Sequence, residues 1–222
     1  MHDFQGFPKD GLALLGQLPG LSKGEFGAVK ARYQAEIADP TKAFVDALGS
    51  VLQGTISPAI EFAAKTNGSI GPINNDLRFN PDAPRYKDHL LLRFWEGTPK
   101  KVVPNLYVRL TPTEVGFATG QAFPDVPAWR DAVAARGAEL SDALASLVSE
   151  AGATVVGQEL KGVPAPFPAD HPQGDLLRHK WLQVRWSTPH PASIHDAGFA
   201  DVCAEELRRA APIHRWLVEA SS

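Results

Sequence analysis

Asp170-His171-Pro172, followed by Asp175 and Arg178, is a stretch that can do acid–base chemistry. Histidine titrates near neutral pH, so His171, oriented by Asp170 or Asp175, has the properties of a general base. Asp175 and Arg178 stand three residues apart, on one face of a helix, where they can pair. The same residues also have a purely local account. Asp170 or His171 caps a short helix, and Pro172 occupies its first turn. His171 and Asp175, at i and i+4, have the spacing of half a metal site, but no second cluster supplies further ligands. No metal and no cofactor is therefore expected. His190 and His195 flank a proline loop and are further candidates.

A second constellation lies in Asn74-Asn75-Asp76-Leu77-Arg78-Phe79-Asn80-Pro81-Asp82-Ala83-Pro84-Arg85-Tyr86-Lys87-Asp88-His89. A stretch so rich in charge, amide and proline reads as a loop. Arg78, Asp82, Tyr86 and Lys87 offer a guanidinium fork, a carboxylate, a phenol and an ammonium, a set suited to an anionic ligand. Against this stands pairing of Asp76, Arg78 and Asp82 with one another, which would pin the loop and do nothing else. Two functional classes follow. One is binding of a small anionic or polyhydroxyl metabolite in a cleft formed by the 74–89 and 164–178 segments, lined by Arg78, Asp82, Tyr86, Lys87, Asp170, His171, Asp175 and Arg178. The other is a non-catalytic interaction module whose charged loops are structural.

The elements that must position these residues show in the hydrophobic spacing. Leu12, Leu15 and Leu18 mark a short helix ending at Pro19-Gly20, and Ser22 with Glu25 forms a capping box. Phe26, Val29, Tyr33 and Ile37 continue at helical spacing. Asp39-Pro40 reads as N-cap and first-turn proline of a helix carrying Phe44, Leu48, Val51 and Leu52. The spacing also allows a short helix around 59–65. Leu90 to Trp95, Leu106 to Leu110 and Val115 to Phe123 read as strands joined too tightly for parallel crossovers. A long helix from Asp125 to Gly152, a strand over 154–161, a short helix over 173–180 and a strand over 181–186 follow. The last helical stretch starts near Asp196 and is interrupted at Pro212.

This order predicts a single α+β domain over 1–222: a mainly antiparallel sheet of about five strands, packed with N-terminal, central and C-terminal helices. Phe44, Leu48, Leu91, Val108, Val133, Leu144 and Trp216 should be deeply buried. The tryptophans lie in apolar stripes, and core packing is their default.

Composition removes several functions. Lys and Arg number 22 against 25 Asp and Glu, a net charge of −3. The densest basic stretch, Arg208-Arg209 with Arg215, is broken by Glu205, Glu206 and Glu219, so no nucleic-acid partner is expected. No apolar run of about 18 residues exists to cross a membrane. The residues Met1-His2-Asp3-Phe4 lack the basic start of a secretory signal, which predicts a cytoplasmic protein. Cys203, the single cysteine, excludes an intrachain disulfide. The phosphate loop, the Gly-x-Ser-x-Gly elbow, the dinucleotide fingerprint and the zincin helix are all missing.

The motifs also resemble a known group, domain-of-unknown-function family 2461. The Phe-x-Gly-Phe opening corresponds to Phe4, Gly6 and Phe7 before Leu12 and Leu15. Tyr33 and Pro40 fit its next landmark. Its signature, Asp-x-Arg-Phe-x-x-Asp closing in Tyr-Lys, corresponds to Asp76, Arg78, Phe79, Asp82, Tyr86 and Lys87. Tyr107, then Gly116, Gly120 and Pro124, then Asp170, His171, Pro172, Asp175, Leu176, Leu177, Arg178 and Lys180 match in turn. The chain departs from the pattern at Asn75, at Ala83-Pro84-Arg85, and in lacking a tryptophan near Phe123. What the resemblance implies is a shared fold; no activity follows from it.

Overall fold

Alternation with a period of two sets the sheet, and every third or fourth residue sets the helices. The computed structural model describes residues 3–221 apart from Phe79 and Pro124, two of the family-matched positions, which lie outside the described residues. Helices α1 (Lys9–Gln17), α2 (Lys23–Tyr33) and α3 (Asp39–Thr55) come first. Strands β1 (Ile60–Glu61), β2 (Leu90–Glu96), β3 (Asn105–Leu110) and β4 (Glu114–Ala122) lead to α4 (Val126–Ala151). Then come β5 (Thr154–Glu159), α5 (Gly174–Leu177), β6 (His179–Pro189), α6 (Phe199–Arg208) and α7 (Ala211–Ala220).

The strands form one open antiparallel sheet in the order β1-β2-β3-β4-β6-β5, six strands where about five were expected. The extra one is β1, a two-residue edge strand in the 59–65 stretch that the spacing allowed as a helix. Its Ile60 carbonyl accepts from the Gln53 side chain, and its backbone pairs with the sheet. β6 enters between β4 and β5, pairing antiparallel with β5 from Thr154↔Arg185 to Glu159↔His179.

In β2, Leu90, Leu92 and Phe94 are buried while Leu91 is 36 % exposed, so the expectation that Leu91 sits in the core was wrong. Leu91 shares its parity with Arg93, and successive side chains leave opposite faces of a strand. The same rule buries Leu182, Val184 and Trp186 and turns Trp181 outward, at 38 % exposure.

The chain divides into two compact units. The first holds Met1–Phe94, Tyr107–Gly116 and Thr188–Glu205; the second holds Trp95–Leu106, Phe117–Ser187 and Glu206–Ser222. Their boundaries fall inside β2, β3, β4, β6 and α6 rather than in linkers.

The first unit packs around phenylalanine rings. Phe44 of α3 lies 5.0 Å from Phe4 and stacks at 5.2 Å on Phe199 of α6, with Phe7 edge-on to both Phe44 and Phe199. Gly6 reaches φ +98°, and a Cβ there would strike the His195 backbone at 2.1 Å. The Phe-x-Gly-Phe opening thus docks closely, with Phe7 N–H donating to the Ile194 carbonyl.

The second unit packs α4 against α5, α7 and β5. The Asp125 carboxylate caps α4 through the Ala128 N–H at 3.0 Å, and Gly152 ends it at φ +61°. Trp129 stacks on Phe123 at 3.8 Å and meets Trp216 edge-on. Both indoles find acceptors, at the Leu176 and Arg136 carbonyls. The short helix expected over 173–180 closes at Leu177, because β6 takes the chain from His179.

The capping box forms as read: Ser22 Oγ accepts from Glu25 N–H, and Glu25 accepts from Ser22 N–H. Asp39 differs. It is no N-cap, since Ala38 and Asp39 are both right-handed helical and α2 runs into α3 through a π turn, Gln34–Ala38. Pro40 has no N–H for the Glu36 carbonyl. Asp39 N–H bonds instead to Gln34, five residues back. Gly11 of α1 sits against Glu36, where a Cβ would lie 2.3 Å from the carbonyl oxygen.

A glycine inside a helix ordinarily costs about 1 kcal/mol relative to alanine. Gly27 in α2 has open space at its Cβ position, so Gly27→Ala should stabilise the protein by roughly that amount. Gly11→Ala should instead destabilise by roughly 1–3 kcal/mol, as overpacking does. Urea unfolding midpoints of the two variants check both signs.

Candidate functional site

The 74–89 segment belongs to the first unit, and its base is zipped. Asn75 N–H donates to the Arg85 carbonyl at 2.9 Å, Lys87 N–H to Ile73 at 2.8 Å, and Asn74 bridges Tyr86. Asn75 Nδ2 donates to the Pro84 carbonyl. Beyond this ladder the Arg78 guanidinium grips Asp76 with two hydrogen bonds, 2.9 and 2.6 Å, at a tip where Arg78 is 82 % exposed. That pairing holds the Asp76 carboxyl below its usual range. Asp82 is exposed. Tyr86 is buried and stacks on Phe26 at 4.5 Å, and Lys87 Nζ donates to the Pro72 carbonyl at 2.8 Å.

Those last two contacts build one side of a cleft of ≈ 350 Å³ in the first unit. Pro72, Ile73 and Asn74 line it from the segment that Lys87 and Tyr86 fix. Phe26, Lys30 and Tyr33 of α2, Gln34 and Ala38 of the π turn, and Thr41 and Lys42 of α3 line it from the helical side. Residues 26, 30 and 33 share a helical face. Phe26, Val29, Tyr33 and Ile37 recur at helical spacing in the sequence; Ile37 is buried, while α2 buries no residue fully and its Phe26 and Tyr33 form a wall of the cleft. Lys30 has no acidic partner among the described residues, whereas Lys42 Nζ lies 3.0 Å from Asp39. Burial raises the Tyr33 phenol above its ordinary value, so it stays a neutral hydrogen-bond donor at pH 7.

The 164–178 segment belongs to the second unit. It runs through turns closed by Phe167 N–H to Pro164, His171 N–H to Pro168 and Gly174 N–H to His171. Asp170 is exposed. His171 Nδ1 accepts from the Gln173 N–H at 3.0 Å, so in the neutral ring the proton sits on Nε2, a donor. Arg178 pairs with Glu159 across the β5–β6 ladder, donates to the Leu160 carbonyl at 3.0 Å and reaches Asp175 at 3.3 Å. A cleft of ≈ 330 Å³ lies against His171, Asp175 and Arg178.

Two other histidines have closer carboxylate partners. His89 Nδ1 lies 2.7 Å from Asp88, with the Arg109 guanidinium 3.3 Å away. With Nδ1–H donating to Asp88, the lone pair of the neutral ring is on Nε2, as a base requires. The signal was the adjacency Asp88-His89. His214, fully buried, places Nε2 3.1 Å from Glu96, and its Nδ1 has no partner. Among the described residues no group of three or more His, Cys, Asp or Glu is arranged to hold a metal, and no helix is long and apolar enough to cross a membrane.

The family model described as conserved hypothetical protein (DUF2461) matches residues 22–216. The chain belongs to this family. No curated protein matches the chain. In this chain Tyr86 and Lys87 back the first-unit cleft, while Asp76 and Arg78 pair with each other at the loop tip.

Burial lowers the proton affinity of His179, His190 and His214 below the ordinary value of 6.5. In the unfolded chain each regains that value, so unfolding takes up protons as the pH falls through and below 6.5. Stability present at pH 7.5 should therefore be lost on acidification toward pH about 5. Replacing His214 by Gln should flatten this dependence in part, as measured by denaturant midpoints across that range. A slope unchanged in the folded variant would remove His214 from the account.

Proposed function

We propose that this protein binds a small anionic metabolite in the first-unit cleft formed by α2, the π turn, the start of α3 and residues 70–74. The observation that carries the reading is Lys30. It is an ammonium on the wall of a cleft whose lining includes no carboxylate, and it has no ion-pair partner, among the described residues. Around it stand the hydrogen-bonding groups of Tyr33, Gln34, Thr66 and Asn74 and the apolar surfaces of Phe26, Ile70 and Leu90. Mixed apolar walls with a few convergent polar groups are what ligand sites have, and the volume falls at the small end of about 300–1,000 Å³. Tyr86 and Lys87 act from behind the wall, by stacking on Phe26 and holding Pro72.

The test is a thermal-shift panel of small carboxylates, phosphates and sugars. A ligand at a hundred times its dissociation constant stabilises by about 2.7 kcal/mol, a readily measured shift. Lys30→Met should weaken the hits by roughly 1.5–3 kcal/mol, the worth of a charge-assisted hydrogen bond. Arg78→Ala, which removes a guanidinium engaged by Asp76, should leave them unchanged. A panel with no hits overturns the reading; hits lost in Arg78→Ala but kept in Lys30→Met move the anion site to the loop.

A further inference from the structure

We infer that the ligand is a monoanion, a carboxylate carried on a compact apolar or aromatic body, and that Asp39 sets this choice of charge. The inference rests on the anion-binding reading of the same cleft and narrows it.

Two ammonium groups, Lys30 and Lys42, line the cleft. One of them is offset: Asp39 Oδ1 lies 3.0 Å from Lys42 Nζ and accepts from Gln34 Nε2 at 2.6 Å. The aspartate is fixed by this grip and by its place where the π turn meets α3. One net positive charge is left for a ligand. A carboxylate neutralises it. A phosphate dianion brings a second negative charge toward the half-exposed Asp39, and like charges repel.

The rest of the lining speaks for the body of the ligand. Phe26, Ala38, Ile70, Ile73 and Leu90 present carbon to the cleft, and Tyr33 contributes both a ring and a hydroxyl with no hydrogen-bond partner among the described residues. Phe26 is itself seated on Tyr86, stacked at 4.5 Å, so this wall is rigid enough to receive a flat group. A polyhydroxyl body would leave most of this carbon surface uncovered.

Isothermal titration of the whole chain at pH 8 with three matched probes tests the assignment: 3-phenylpropionate, 3-phenylpropionamide and phenyl phosphate, the last a dianion at that pH. The carboxylate should bind roughly ten-fold tighter than either the amide or the phosphate. Asp39→Asn should then raise phenyl phosphate affinity several-fold relative to the carboxylate. Lys42→Gln, a second variant, should depress the phosphate more than the carboxylate. Circular dichroism confirms that each variant is folded. Tighter binding of phenyl phosphate by the wild type overturns the monoanion assignment while leaving an anion site standing. Equal binding of the amide and carboxylate overturns both, as does failure of all three probes to bind. A phosphate-to-carboxylate ratio that neither Asp39→Asn nor Lys42→Gln moves overturns the role of Asp39.

Discussion

Pro40 has no N–H to give to the Glu36 carbonyl, and much of the first unit follows from that single missing donor. An uninterrupted α-helix from Lys23 to Thr55 would leave the Glu36 carbonyl facing a proline ring. The chain inserts a π turn over Gln34–Ala38 instead, with the Asp39 N–H bonding five residues back. An extra residue rotates what comes after by about 100° relative to what came before. The same helical rod therefore changes character at the turn. Before it, α2 buries nothing completely; after it, α3 buries Phe44, Val45, Leu48 and Leu52. The cleft lies at this change of face, and Gly11 leaves room for the carbonyl the turn sets free.

Local rules were legible wherever one chemical group answers another nearby in sequence. The Ser22–Glu25 box, the Asp125 cap and the Gly152 stop all formed as their residue types dictate. In Asp39-Pro40 the proline does occupy the first turn of α3, but Asp39 is not a cap, because α2 runs through the π turn into α3 without leaving helical backbone. Leu91 failed for a different reason. Three leucines in a row say that a strand is apolar and not which parity faces inward; Arg93, on the parity of Leu91, was the residue to weigh.

Charge drew attention to the 74–89 loop, where Tyr86 stacks on Phe26 and Lys87 holds Pro72 beside the proposed cleft, while the conspicuous Arg78 pairs with Asp76 at the tip. Lys30 was invisible because a lone lysine on an amphipathic helix reads as a solvated one. What distinguishes it is that it has no ion-pair partner among the described residues, together with the wall opposite, and both are properties of the fold. Histidine chemistry was similarly hidden in detail. His171 and His89 both neighbour aspartates in sequence, yet one Nδ1 accepts a backbone hydrogen and the other faces a carboxylate.

The strand order has a consequence for how this chain reaches its fold. β6 lies between β4 and β5, yet it is synthesised after both. While α4, β5 and the proline-bearing loop emerge from the ribosome, β4 presents an open ladder of amide and carbonyl groups on its future β6 side. β5 meanwhile has nothing to pair with, since among the described residues its one neighbour in the sheet is β6. An unfilled slot of this kind is a template for strands of other molecules. It closes only when residues 179–189 insert, a step that joins segments distant in sequence and is correspondingly slow. The nascent protein thus passes through a period in which its own last strand competes with its neighbours for the centre of the sheet.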